Sequence, residues 1–315
     1  MNESSVMVYL MTGFLDSGKT QFLKFTLEQD YFQINGKTLL ILCEEGEEEY
    51  DPMEMLKYGV VIEKIEDQEE LTEEWLREMD RKHEPERVVI EYNGMWKVSD
   101  FENMELPEGW EIEQKLTTVD ASTFQMYLTN LKPLFVEMVR DSELVLFNRC
   151  EDIKPLAGYR RSVKVVSPQA EVIFEDENGE VENIFEDDVP YDLKAPVIEI
   201  PKEDYGIWYV DMMENPDRYK GKVVEITAKV LKPKAFPSKV FLPGRMAMTC
   251  CADDTSFLGY VCRSSYAPKL KAGDWVKIRA KVRFANLSVY RGEGPVLEAE
   301  HIEPAEPIEE LVYFN

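Results

Sequence analysis

Gly13-Phe14-Leu15-Asp16-Ser17-Gly18-Lys19-Thr20 is the stretch that decides the fold. It fits G-x-x-x-x-G-K-[ST] without a mismatch, the pattern of a loop that cradles phosphate. Just before it, Val6-Met7-Val8-Tyr9-Leu10-Met11 is a short apolar run suited to a buried strand, and just after it Phe22, Leu23, Phe25 and Leu27 supply the apolar positions of a helix. Strand, glycine loop and helix is the order the chemistry needs, because backbone N–H groups and the positive end of the helix together hold a β-phosphate. Gly13, Asp16, Ser17 and Gly18 form the cradle, Lys19 would reach the β- and γ-phosphates, and the Thr20 hydroxyl would ligate Mg²⁺. The expected ligand is a nucleoside triphosphate.

Further along, Lys37–Leu42 reads as a second buried strand running into the acidic segment Cys43-Glu44-Glu45-Gly46-Glu47-Glu48-Glu49-Tyr50-Asp51. Most such runs are solvated loops. This one leaves the carboxyl end of a strand, where open α/β sheets bind their ligands, so one carboxylate, Glu45 or Glu47, is expected near Mg²⁺ or an attacking water. Gln68 to Lys82 has helical spacing. The strand Arg87–Ile90 ends in Glu91, a second acidic group for Mg²⁺, directly or through water, and Gly94 would let the backbone approach a γ-phosphate. Lys115 to Val119 is another strand ending at Asp120, Ser122 through Val139 a helix interrupted at Pro133, and Glu143 to Phe147 a strand leading into Asn148-Arg149-Cys150-Glu151. Guanine-specific enzymes carry Asn-Lys-x-Asp at this place. Arg149 stands for the Lys and Glu151 for the Asp, so GTP is expected ahead of ATP. Val163 to Ile173 is read as a last strand, followed by a loop and hairpin.

The chain of 315 residues has a net charge of −26, but the charge is uneven. Residues 1–195 hold 45 Asp/Glu and 19 Lys/Arg, whereas residues 196–315 hold 17 of each. This asymmetry divides the chain into a domain at 1–195, a linker with a short helix at 196–218 marked by Pro196 and Pro201, and a second domain at 219–315. No apolar run approaches the roughly 18 residues that span a bilayer. The N-terminus lacks a basic secretory start, and the five cysteines form no disulfide framework, so the expected location is cytoplasmic.

GFLDSGKT, LCEEGEEEYD, VVIEYNGMW, TTVDASTF and LVLFNRC, taken in order, resemble the landmarks of the CobW-like metallochaperone GTPases over residues 5–175. The resemblance implies GTP hydrolysis with Mg²⁺ and a switch that communicates with a metal-handling partner. It implies roles for Lys19 and Thr20, for Glu45 and Gly46 in a first switch, for Glu91 and Gly94 in a second, and for Asn148 at the base. Dimerisation is common in that family. Its C-x-C-C metal motif is missing, because residues 44–91 contain no cysteine and only one histidine, His83.

Behind the linker, five strand-like stretches (222–231, 245–251, 257–262, 274–284 and 295–302) suggest a small closed OB-like barrel. The whole is thus expected to be an α/β P-loop NTPase with a mostly parallel sheet, followed by a small all-β five-stranded barrel. GRMAMTCCADD and GDWVKIRAKV make the second part similar to the C-terminal soluble domain of the YcgQ-like subunit of a predicted two-component membrane permease, which implies a shared pathway with a permease. Alternation puts Lys277, Arg279, Lys281 and Arg283 on one strand face. With no aromatics interleaved and a strongly acidic chain, nucleic acid is not expected there; the stripe is read as a solvated outer face or as a face that docks on the acidic domain in front. Cys250, Cys251 and Cys262 are read as barrel core or as a thiol or Zn²⁺ site. Three functions follow: a Mg²⁺-dependent GTPase switch, a nucleotide-gated binding module with vestigial hydrolysis, and a metal carrier using those cysteines.

Overall fold

The structure, a computed structural model, describes residues 5–151, 153, 156–181, 184, 189–248, 255–290, 292–308 and 310–312. The chain divides into two compact units, residues 1–156 with 166–184, and residues 157–165 with 185–315.

In the first unit the strands are β1 (Val6–Thr12), β2 (Thr38–Leu42), β3 (Val60–Lys64), β4 (Arg87–Glu91), β5 (Trp110–Asp120), β6 (Leu144–Asn148), β7 (Glu171–Asp176) and β8 (Gly179–Glu180). The helices are α1 (Lys19–Leu27), α2 (Pro52–Met55), α3 (Glu73–His83), α4 (Val98–Glu102), α5 (Phe124–Asn130) and α6 (Lys132–Val139). The sheet order is β3-β2-β4-β1-β5-β6-β7-β8, and every pairing is parallel except β7 with β8. β2 and β4 are buried along their whole length, as their uninterrupted apolar runs require of central parallel strands. Leu23 and Leu27 of α1 pack with Met11, Leu40, Leu42 and Val89, which fixes the helix against the sheet directly behind the glycine loop.

The structure sharpens one sequence expectation, the interruption at Pro133, overturns a second and adds a strand. The helix foreseen over 122–139 is two helices, with Pro133 at the second position of α6, where its missing N–H leaves no bond unmade. Val163 does not open a strand. It is buried within a further helix, α7 (Leu156–Lys164), which groups with the second unit, and β7 begins at Glu171. β3 was not foreseen, because Val60–Lys64 is a short, half-buried edge strand among charged residues.

The second unit contains β9 (Ile198–Glu199), α8 (Tyr205–Glu214), β10 (Val223–Leu231), β11 (Val240–Met248), β12 (Thr255–Gly259), β13 (Val261–Arg263), β14 (Trp275–Leu287) and β15 (Gly292–Pro304). The strands run β11-β13-β15-β14-β10, and β10 pairs back onto β11, so five strands close a barrel with a parallel β13–β15 contact. Val276, Ile278, Ala280 and Val282 of β14 fill the interior with Trp208 and Met212 of α8. Their neighbours Lys277 and Arg279 point outward and both pair with Glu225 of β10, while Arg283 pairs with Glu298 of β15. Much of the basic stripe therefore has its counter-charges on adjacent strands.

Burial alone would raise the Glu225 carboxyl, but the hydrogen bonds from Lys277 and Arg279 outweigh it and hold the group below the usual carboxylate range. A lowered folded value makes this stabilisation fully present above the unfolded glutamate value, about 4.3, and lost as pH falls through the folded one. Glu225→Gln is expected to lower stability by about 1–3 kcal/mol at neutral pH. The deficit should shrink on acidification, as read by denaturant unfolding of both proteins at several pH values.

Candidate functional site

The glycine loop joins β1 to α1 at the middle of the sheet. Gly18 has φ 94° and Gly13 φ 145°, both in a region that suits glycine, and a Cβ on Gly18 would stand 2.5 Å from the Asn148 amide nitrogen. Asp16 also has positive φ, 59°, a conformation aspartate tolerates better than most side chains. Two groups at the end of β6 clamp this backbone. Asn148 Nδ2 donates to the Ser17 carbonyl at 2.7 Å, and Arg149 donates from one guanidinium nitrogen to the Asp16 carbonyl at 2.9 Å and to the Asp120 carboxylate at 2.6 Å. Among the described residues, buried Asn148 Oδ1 accepts no hydrogen bond.

Lys19 is only 3% exposed. Its ammonium donates to the carbonyls of Gly13 at 2.8 Å and Phe14 at 2.9 Å, and forms an ion pair with Glu44. Thr20 Oγ1 donates to Glu91 Oε1 at 2.7 Å, and the Tyr50 hydroxyl donates to Glu91 Oε2 at 2.6 Å. Burial pushes the Glu91 carboxyl up, against hydrogen bonds from Tyr50 and Thr20 and the charge of Lys19. Burial beside Glu91 also pushes Tyr50 up, which keeps its phenol protonated as a donor. Gly94 donates its N–H to Glu44 at 3.1 Å.

The structure thus gathers Gly13, Ser17, Gly18, Lys19, Thr20, Glu91, Gly94, Asn148 and Arg149 at one mouth. Asp16 joins them, its carboxylate accepting from the Glu47 N–H at 3.3 Å. Beside the mouth, Gln21, Phe22, Phe25, Asn148 and Glu151 line an open hollow. Glu45 stands apart. It is largely exposed and pairs with Lys64 at 2.5 Å, and the carboxylate that reaches Lys19 is Glu44. Strand alternation was the available signal: Leu40 and Leu42 face α1, and two residues on the same side falls to Glu44, not Glu45. No sequence signal marked Tyr50.

Cys262 is fully buried in the barrel core, where burial pushes its thiol up and away from the thiolate a metal needs. Cys250 and Cys251 lie outside the described residues. Among the described residues, no group of three His, Cys, Asp or Glu side chains could hold a metal ion, and no helix is long and apolar enough to cross a membrane. Thr20 and Glu91 instead present hard oxygen donors at one point, the set that suits Mg²⁺.

The closeness of the second turn to the loop is itself testable. A Cβ on Gly94 would lie 2.5 Å from the Gly13 carbonyl oxygen and 2.7 Å from Phe14 Cα, and neither backbone atom can swing aside. Gly94→Ala should cost about 1–3 kcal/mol of stability, read as a lower unfolding midpoint. Gly292→Ala, whose methyl would meet nothing within 4 Å, should not show that loss.

Comparison with known proteins places both halves. Residues 7–174 match the family model described as CobW/HypB/UreG, nucleotide-binding domain, and residues 177–314 match the DUF1980 C-terminal domain. No curated protein matches the chain. Among solved structures, hydrogenase maturation factor HypB from Archaeoglobus fulgidus is 19% identical over 56% of this chain and 83% of that one, with a TM-score of 0.38. The Zn(II)-bound YjiA GTPase from E. coli is 18% identical over 82% of this chain and 90% of that one, with a TM-score of 0.43. With its glycine loop and parallel sheet, the chain belongs to the CobW/HypB/UreG family of P-loop nucleotide-binding domains.

Proposed function

We propose that the chain binds GTP together with Mg²⁺ and hydrolyses it slowly, as a nucleotide switch that acts on a protein partner. The observation that carries this reading is the placement of Thr20 and Glu91, hydrogen-bonded at 2.7 Å, beside the buried Lys19 ammonium at the end of a glycine loop. Magnesium held by Thr20 and Glu91 would neutralise charge on the β- and γ-phosphates. The loop N–H groups and the start of α1 would hold the β-phosphate, and Lys19 would stabilise the charge that develops on the transferred group. Tyr50 keeps Glu91 oriented by occupying its second oxygen. The hollow beside Asn148 and Glu151 would take the base. Asn148, whose buried Oδ1 has no partner among the described residues, would turn that oxygen to the base, and Glu151 would supply a carboxylate for the N–H groups of a guanine edge. The partner would belong to a permease or metal-homeostasis system, a reading that rests on the likeness of GRMAMTCCADD and GDWVKIRAKV to a permease-subunit domain.

Phosphate release from GTP tests this directly. Turnover should require Mg²⁺, exceed that with ATP, and fall by at least about a hundredfold in Lys19→Ala. Equal turnover with and without Lys19 would contradict the assignment.

A further inference from the structure

We propose that Glu44 holds the place of a γ-phosphate in this site, so that the chain tells a nucleoside triphosphate from a diphosphate by whether the ligand can expel that side chain. The inference rests on the phosphate-binding reading above and adds the residue that sets the preference.

The carboxylate of Glu44 takes two donors from two different elements. One oxygen pairs with the Lys19 ammonium at the first turn of α1, and the other accepts the Gly94 N–H at 3.1 Å, in the turn after β4. An anion with oxygens shared between a lysine and a backbone amide meets the same donors that a terminal phosphate requires. This is not a passing surface pair, since the side chains of Lys19 and Glu44 are 2% and 8% exposed. The two donors are also held in place independently of Glu44. Lys19 is bonded to the Gly13 and Phe14 carbonyls, and Gly94 lies packed against the backbone of those same residues.

A diphosphate would end at the loop amides and share Lys19 with Glu44, leaving the Glu44 contact to the Gly94 N–H in place. A third phosphate would reach Lys19 and meet a carboxylate of like charge on the same ammonium, an arrangement that a poorly solvated site strongly disfavours. Glu44 must then leave. Its segment is pinned at both ends, by the Cys43 N–H to the Glu91 carbonyl at 3.0 Å and by the Tyr50 hydroxyl to the Glu91 carboxylate. Movement is confined to residues 44–49, with Gly46 among them, and the ties to break besides those of Glu44 are exposed ones: Glu47 N–H to Asp16, Lys24 to the Glu49 carbonyl and to Glu48, and Lys64 to Glu45. Arrival of the γ-phosphate would therefore be reported outward by the acidic run Glu45 to Glu49.

The test is equilibrium binding of fluorescent GDP and of a non-hydrolysable fluorescent GTP analogue, with Mg²⁺, to the full chain and to Glu44→Gln, Glu44→Ala and Lys19→Ala, each checked for folding by circular dichroism. Both Glu44 variants should shift the ratio of the two affinities toward the triphosphate by at least about tenfold relative to the unmodified chain. An unchanged ratio, or a shift toward the diphosphate, would overturn the inference, the latter by making Glu44 a group that helps to hold the triphosphate. If the unmodified chain bound neither nucleotide, or if Lys19→Ala bound both as well as it does, the phosphate-site reading itself would fall and the inference with it.

Discussion

A buried ammonium must be paired, and the arrangement of the first unit follows from how Lys19 meets that requirement. An unpaired charge out of water is costly enough to be neutralised or expelled. Lys19 stays because the loop turns two carbonyls back toward it and β2 delivers Glu44 to it. That geometry demands the loop's unusual backbone, and the backbone in turn demands glycine where Asn148 presses on it at position 18. Asn148 and Arg149 then hold the loop from the β6 side, through the Ser17 and Asp16 carbonyls. The loop, unlike the Glu44 segment, is tied down by these bonds before any ligand arrives, which is what an anion cradle needs if its binding energy is not to be spent on ordering it.

The second unit answers a different constraint. A small antiparallel sheet exposes unpaired edges, and here β10 and β11 close on each other to remove them. Inside, α8 fills the core with Trp208 and Met212, and Asp211 on the same helix is buried but satisfied by Tyr219 at 2.5 Å and Arg218 at 3.0 Å. Outside, the charged side chains of β14 lie against acidic neighbours rather than forming a uniform basic face. The expectation of a basic docking stripe came from reading one strand without its partners.

The parts that were legible in the sequence were those with strong local rules. Gly13 to Thr20 admits few alternatives once a strand precedes it and a helix follows, and the period-2 pattern of β14 separated Ile278 from Lys277 correctly. Glu91, legible as the acidic end of an apolar strand, accepts a hydrogen bond from Thr20. What failed needed register. The acidic run was read as offering Glu45 or Glu47; finding Glu44 beside Lys19 requires carrying the alternation of β2 past its last apolar residue, and the hydrogen bond of Tyr50 to Glu91 spans 41 residues of sequence, which no local pattern records. The helix Leu156–Lys164 was missed because the apolar residues Val163, Val165 and Val166 invite a strand reading that tertiary packing overrides.

Amide hydrogen exchange of the full chain puts the glycine loop to the most direct test. If this loop encloses the triphosphate tail, the amides of residues 17–20 should exchange at least about tenfold more slowly once GTP and Mg²⁺ are added. Exchange there that stayed unchanged at saturating nucleotide, with protection confined to another part of the molecule, would contradict it.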